Sequence, residues 1–225
     1  MAADESLLCA AAAGSATLRF YGWSEPAVSL GYFQKEAVRD GDPLLQTLPY
    51  VRRPTGGATL VHHHEVTYAL ALPAGAPWQT GENWLVRMHR ILALALDRLG
   101  VQCVLHREKE TPRSGPLCFR SFTPGDLIVG DSKIAGSAQR RQRRALLQHG
   151  AVLLAQSHFT PGLAGIRELC GTEVQIPTLC TAAVEAFQME TGWTLAADYW
   201  SASEQERITE LVAAKYSQEW WNQKR

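Results

Sequence analysis

An α+β fold is what this sequence predicts: a mixed, mostly antiparallel β-sheet flanked by α-helices, in a single domain over residues 1–225. Short apolar segments broken by Gly, Pro, Ser and Asp dominate the middle of the chain. One long run with helical period, Glu82 to Leu99, interrupts them, and the tail is again helical in pattern. No Pro/Gly/Ser linker or composition break divides the chain, and 46% hydrophobic residues suffice for a substantial core.

The elements follow in order. Alanine-rich Ala2 to Ala13 favours helix and Gly14-Ser15 stops it; Thr17 to Tyr21 and Ala27 to Leu30 then read as a hairpin around Ser24-Glu25-Pro26. Gln34 to Gln46 is polar and helical. Tyr50 to Arg53 is a strand running into the turn Pro54-Thr55-Gly56-Gly57, followed by strands at Ala58 to His62 and Val66 to Leu72. In the Glu82 to Leu99 helix, Leu85, Met88, Ile91, Leu92, Ala95, Leu96 and Leu99 repeat at helical spacing up to Gly100. Next come a strand at Cys103 to Leu105 and a loop with Pro112, Gly115 and Pro116. Strands at Asp126 to Val129 and Lys133 to Ala135, around a Gly130-Asp131 turn, precede a Gly136-Ser137 turn and a strand at Ala145 to Leu154. Ala182 to Thr191 and Glu204 to Tyr216 are helical, the latter capped by Ser201 or Ser203.

Charge and composition exclude several classes. Lys plus Arg equals Asp plus Glu at 22 each, which argues against a nucleic-acid binder. No apolar run approaches the roughly 18 residues of a membrane span. Leu7 to Ala13 imitates a signal peptide's apolar core, but Asp4 and Glu5 stand where such a peptide is positively charged. Cys9, Cys103, Cys118, Cys170 and Cys180 form no CxxC pair and no metal-ligand spacing, which favours reduced thiols in the cytoplasm. His62-His63-His64 point to alternate faces if they lie on a strand, so at most His62 and His64 could share an ion, and no metal is expected.

Four groups of residues carry possible chemistry. Cys118 is either a small buried hydrophobe or a nucleophile; a free thiol titrates near about 8.5, so a neighbouring cation raises the thiolate fraction. Lys133 is either solvated or, beside Ile134 and Ala135, partly buried and suited to proton transfer. Arg52 and Arg53 precede Thr55, Gly56 and Gly57, an ordinary turn or a place where backbone N–H groups approach a ligand. His149 is a satisfied core histidine or a group that orients the catalytic loop. Finally, Arg140, Arg141, Arg143 and Arg144 form either a solvated hairpin end or a docking patch for an acidic protein.

Taken in order, these pieces resemble the family of lipoate-protein ligases, octanoyltransferases and, more distantly, biotin-protein ligases. Met1 to Leu8 is similar to the family's first helix, and Tyr21-Gly22-Trp23 through Val28-Ser29-Leu30-Gly31-Tyr32 to its first hairpin. Arg52 to Gly57, Glu65-Val66-Thr67-Tyr68, Asp126-Leu127, Lys133-Ile134-Ala135-Gly136-Ser137-Ala138-Gln139 and His149-Gly150 resemble its internal motifs. Lys215-Tyr216 with Trp220-Trp221-Asn222 resembles its C-terminal signature. The resemblance implies a catalytic fold like that of class II aminoacyl-tRNA synthetases and biotin or lipoyl ligases. It also implies that Lys133 contacts the acyl carbonyl and that Arg52, Arg53, Thr55, Gly56 and Gly57 line the acyl tunnel. His62, Gly136, Ser137, Ala138 and His149 complete the implied substrate-binding set.

Cys118 selects the branch typical of Gram-positive bacteria, whose nucleophilic cysteine stands just upstream of the Asp-Leu strand. The implied reaction moves an octanoyl group from acyl carrier protein to Cys118 and then to a lysine of a lipoyl domain or a glycine cleavage H protein-like acceptor. That route needs no cofactor. The alternatives are an ATP-dependent lipoate or octanoate ligase, which would need ATP and Mg, an amidotransferase between lipoyl proteins, and a catalytically silent carrier-binding module. No room is expected after Trp221 for the accessory domain that many ligases carry, which favours transfer over ligation.

Overall fold

The computed structural model describes residues 1–79, 81–108 and 117–224; the expected loop with Pro112, Gly115 and Pro116 lies outside the described residues. Helix α1 spans Ala2–Ala12 and buries Asp4, Leu7, Leu8 and Ala11, one face of a 3.6-residue period. Strands β1 (Thr17–Tyr21) and β2 (Ala27–Leu30) follow, then a 3-10 turn at Glu36–Arg39, helix α2 (Pro43–Gln46) and strands β3 (Tyr50–Arg52), β4 (Leu60–His62) and β5 (Glu65–Leu72). Helix α3 (Trp84–Arg98) begins at Asn83, whose side chain accepts from the Leu85 N–H at 3.0 Å. It ends at Gly100, where φ is +78° and the Val101 N–H closes on the Leu96 carbonyl.

The second half brings β6 (Val104–Leu105), a one-turn 3-10 helix at Cys118–Arg120, β7 (Leu127–Val129), β8 (Ser132–Gln142) and β9 (Ala145–Leu153). Helices α4 (Ile166–Cys170), α5 (Ile176–Thr191) and α6 (Ala202–Leu211) follow, α6 running through a π-type turn at Val212–Tyr216 to α7 (Glu219–Asn222). Ser201 caps α6 in a reciprocal box with Glu204.

Two sheets organise the strands. The larger has the order β1-β5-β9-β8-β7-β6 and is antiparallel throughout; the smaller is β3-β2-β4, with β2 and β3 parallel. Helices α3 and α5 cover one face of the large sheet through Val66, Tyr68, Leu70, Leu72, Leu146 and Val152. Helix α1 covers part of the other through Ala69, Ala71, Ala145 and Leu147. Strand β5 is buried on both faces, which explains its near-continuous apolar run.

Two sequence expectations need correction. The first two strands form no hairpin: β1 pairs with β5 in the large sheet, whereas β2 belongs to the small one. The intervening Trp23 ties the crossing down, stacking on His62 at 3.9 Å and donating from Nε1 to Thr67 Oγ1 at 2.9 Å. Nor do Gly136 and Ser137 make a turn. They lie inside the eleven-residue β8, opposite Ala151 and Gly150 of β9. Their smallness serves close approach, since a Cβ on Gly150 would lie 2.5 Å from the Gly136 carbonyl oxygen.

Candidate active site

Cys118 opens its 3-10 turn against the edge of the small sheet, its N–H donating to the Thr59 carbonyl at 2.7 Å. The thiol is half-buried and packs with Leu60 and Leu163 on the cluster of Phe119, Ala151 and Leu153. Cys103 and Cys180 pack instead toward the helix-covered core. Burial, with Cys170 and Asp97 adding to it, pushes the Cys103 thiol up to about 11, which makes it a poor nucleophile at neutral pH.

Lys133 stands beside that turn. Its Nζ lies 2.7 Å from Asp126 Oδ2, 3.4 Å from the Ser121 carbonyl and 5.4 Å from the centre of the Phe119 ring. Both partners of the ion pair are buried, and Asp126 is held in turn by the Thr123 N–H and hydroxyl, at 2.7 and 3.0 Å. The lysine curls over Gly136, where an added Cβ would fall 2.4 Å from Lys133 Cε and 2.7 Å from Nζ. Together with Phe119, Arg120, Phe122, Gly162 and Leu163, Lys133 lines a cavity of about 300 Å³. That is the low end of small-ligand sites, roughly 300–1,000 Å³.

The segment after β3 has a different part. Arg52 is fully buried, and its guanidinium donates to the carbonyls of Gly31, Gln34 and Asn222, at 2.9, 2.6 and 2.8 Å, binding the C-terminal helix to the small sheet. Arg53 donates to the Ser29, Gly56 and Ala58 carbonyls, at 3.1, 2.9 and 2.6 Å, and so shapes the loop to Thr59. Burial lowers its pKa, and Cys118 opposes that change. Gly57 has φ +91°, and its carbonyl crosses Gly31 so closely that a Cβ there would lie 1.8 Å away. Residues 52–57 do not line the cavity beside Lys133.

Two buried hydrogen-bond chains support the loop. Thr55 Oγ1 lies 2.6 Å from His149 Nε2, and His149 Nδ1 lies 3.0 Å from Asp4 Oδ2. Burial pushes the Asp4 carboxyl up, but its bond to His149 and the nearby Met1 ammonium and Arg19 outweigh this and hold it at about 2. Burial lowers the His149 pKa more than Asp4 raises it. The pair is therefore a carboxylate accepting from a neutral imidazole, which leaves Nε2 to accept the Thr55 hydroxyl proton. In the second chain His62 joins Glu65 (Nδ1 to Oε1, 2.6 Å) to Ser29 (Nε2 to Oγ, 2.8 Å), and Arg53 Nη1 donates to the same Ser29 oxygen at 3.2 Å.

The predicted site residues thus fall into three sets. Cys118 and Lys133 flank Phe119, with Gly136 under the lysine; Arg53, Thr55, Gly56, Gly57, His62 and His149 belong to the loop after β3 and the hydrogen-bond chains that hold it, with Ala138 opposite His149 in the ladder. Arg52 and Ser137 stand apart, Ser137 on the helix-covered side with Gln148 and Tyr68. His63 and His64 lie in a bend rather than on the strand and stack on each other at 3.7 Å, which replaces the alternation expected of them. Asp126, Asp4, Ser29, Glu65 and Phe119 were not singled out by chemistry in the sequence. Four of them, Asp4, Ser29, Glu65 and Asp126, stand in motifs of the resemblance, which gave them no role of their own.

Comparison with known proteins adds to this geometry. Residues 1–160 match the lipoyl protein ligase A/B catalytic domain. The octanoyltransferase LipM of Kyrpidia tusciae is 31% identical over 255 residues, covering 98% of this chain and 92% of that protein. The LipM of Bacillus subtilis is 31% identical, covering 92% and 86%. Among solved structures, lipoate-protein ligase A bound with ATP superposes with a TM-score of 0.77 at 21% identity, covering 99% of this chain and 92% of that one. A bi-partite lipoate protein ligase from Thermoplasma acidophilum gives 0.72 at 20% identity, covering 99% and 89%. At these identities the structural likeness is one of fold.

Proposed function

This chain belongs to the lipoyl protein ligase A/B catalytic family, and we propose that it works there as a cytoplasmic octanoyltransferase that carries the acyl group on Cys118. The donor is octanoyl-acyl carrier protein, and the acceptor is a lysine of a lipoyl domain or an H protein-like relative. The observation that carries this reading is the half-buried Cys118 on a turn whose next residues, Phe119 and Arg120, line the cavity walled by Lys133.

The Cys118 thiolate attacks the carbonyl carbon of the incoming thioester, and the carbon–sulfur bond to the donor breaks. Lys133, paired with Asp126 at 2.7 Å, stabilises the developing oxyanion and passes its proton to the departing thiolate. In the second half the ε-amine of the acceptor lysine attacks the Cys118 thioester. Its excess proton moves to the now neutral Lys133, and the Cys118 thiolate leaves, so both groups regain their starting states. The bond broken in each half is a thioester, so the transfer requires no nucleotide and no metal. Residues 1–225 act as one catalytic unit, which the anchoring of Arg52 by Asn222 supports.

Intact-protein mass measurement after mixing with octanoyl-acyl carrier protein, without ATP, tests the reading. A gain of one octanoyl group that vanishes in Cys118→Ala is expected. If no adduct forms, and ATP is needed to modify a lipoyl domain from free octanoate, the chain is a ligase.

A further inference from the structure

The β8–β9 hairpin ends in a two-residue turn, Arg143-Arg144, with φ of +48° and +68°. Positive φ at both central positions is the geometry of a type I′ turn, for which Asn-Gly is the usual sequence. Two consecutive arginines bear a conformational cost there that the fold does not require. Both are exposed. No carboxylate pairs with Arg140, Arg141, Arg143 or Arg144 among the described residues; Arg140 donates to the Pro54 carbonyl at 2.9 Å and Arg141 to Gln79. In a chain of zero net charge this is a concentrated positive patch, whose Arg140 has a carboxylate, Glu5 of α1, among the charges acting on it.

Its position selects a partner. Cys118 packs at the level of Ala151, which lies opposite Gly136. From Gly136 to Arg143 is seven residues (143 − 136), about 23 Å of strand at ~3.3 Å per residue. An acceptor lysine has only four methylenes beyond its backbone, so the acceptor's body must sit at Cys118 itself. A donor that presents its thioester on a long prosthetic arm can rest its body far from the thiol. We propose that the Arg143-Arg144 turn, with Arg140 and Arg141 behind it, is the docking surface for the acidic body of the acyl-carrier donor. This rests on the transfer reading above.

The test substitutes Arg143→Asn together with Arg144→Gly, which suits the turn. The expected variant has a thermal midpoint at least as high as the parent's. It binds labelled acyl carrier protein at least tenfold more weakly at low salt, has a KM for octanoyl-acyl carrier protein raised to match, and loses most of the parent's salt dependence. Cys118 acylation by octanoyl-pantetheine, a donor without a protein body, stays at the parental rate. Unchanged carrier binding in the variant overturns the proposal, as does a raised KM for the lipoyl acceptor alone. Failure of the parent to acylate from either donor would overturn the transfer reading and not the docking surface, because carrier binding is measured without turnover.

Discussion

Gly136 has no room for a side chain because the Lys133 ammonium occupies it. A Cβ at this position would stand 2.7 Å from Nζ and 2.4 Å from Cε, inside any tolerable contact. Gly136→Ala therefore drives the lysine away from Asp126 and from the turn that carries Cys118, while Ala suits a strand well enough to leave the fold intact. The expected result is a fall of ten- to a hundredfold in the rate of Cys118 acylation, roughly 1.4–2.7 kcal/mol of lost transition-state stabilisation, with a thermal midpoint within a few degrees of the parent. A variant with parental acylation kinetics would show that Lys133 needs no such seat. The sequence marks Gly136 only by its place in a motif; the physical reason for a glycine there was not legible. Glycine at a motif position signals backbone freedom, and only the structure shows that the space is taken by a side chain three residues earlier. Arg52 carries the same lesson, since its carbonyl acceptors include residue Asn222 at the far end of the chain.

The turn between β4 and β5 depends on an interaction that spans three strands. His62 closes β4, Glu65 opens β5, and Ser29 of β2 completes the chain to Arg53. Removing the imidazole by His62→Ala leaves the buried Glu65 with only the Thr67 hydroxyl on Oε1 and strips Trp23 of its stacking partner. Breaking such a buried charged contact costs on the order of 3 kcal/mol. Urea denaturation should show that loss, and KM for the acyl donor should rise as Arg53 loosens its hold on the loop from Gly56 to Thr59. Unchanged stability would remove His62 from this structural role. The periodic helix α3 and the buried β5 were legible because their own residues encode their faces. The pairing of β1 with β5 was not, because alternation marks a strand without naming its neighbour, and the crossing is decided by where Trp23 finds a partner.

The fold as a whole encloses neutral histidines and a buried carboxylate, and its stability must follow pH accordingly. Burial lowers the pKa of His89, which sits on α3 with Nδ1 donating to the Gly125 carbonyl at 2.5 Å and Nε2 without a hydrogen-bond partner among the described residues. His149 is lowered for the same reason. In the unfolded chain both take up protons near pH 6.5. As pH falls below that value the unfolded state binds protons that the native state refuses, so stability declines by up to about 1.4 kcal/mol per pH unit for each histidine. Asp4 extends the decline to lower pH: its contribution is complete above its ordinary value near 3.8 and is lost as pH falls toward about 2. The native state should therefore be more stable at pH 7.5 than at pH 5.5 in urea titrations. His149→Asn, which keeps a donor toward Asp4 but cannot titrate, should flatten the slope by about half a proton averaged over this window, approaching one proton at its acid end, and His89→Gln should do the same. A slope that keeps its full proton count in both variants would mean that other groups govern the acid limb. If it flattens only in the His149 variant, the Asp4–His149–Thr55 chain joins α1, β9 and the loop after β3 into the unit that acid opens first, and acylation of Cys118 should then fall in parallel with stability.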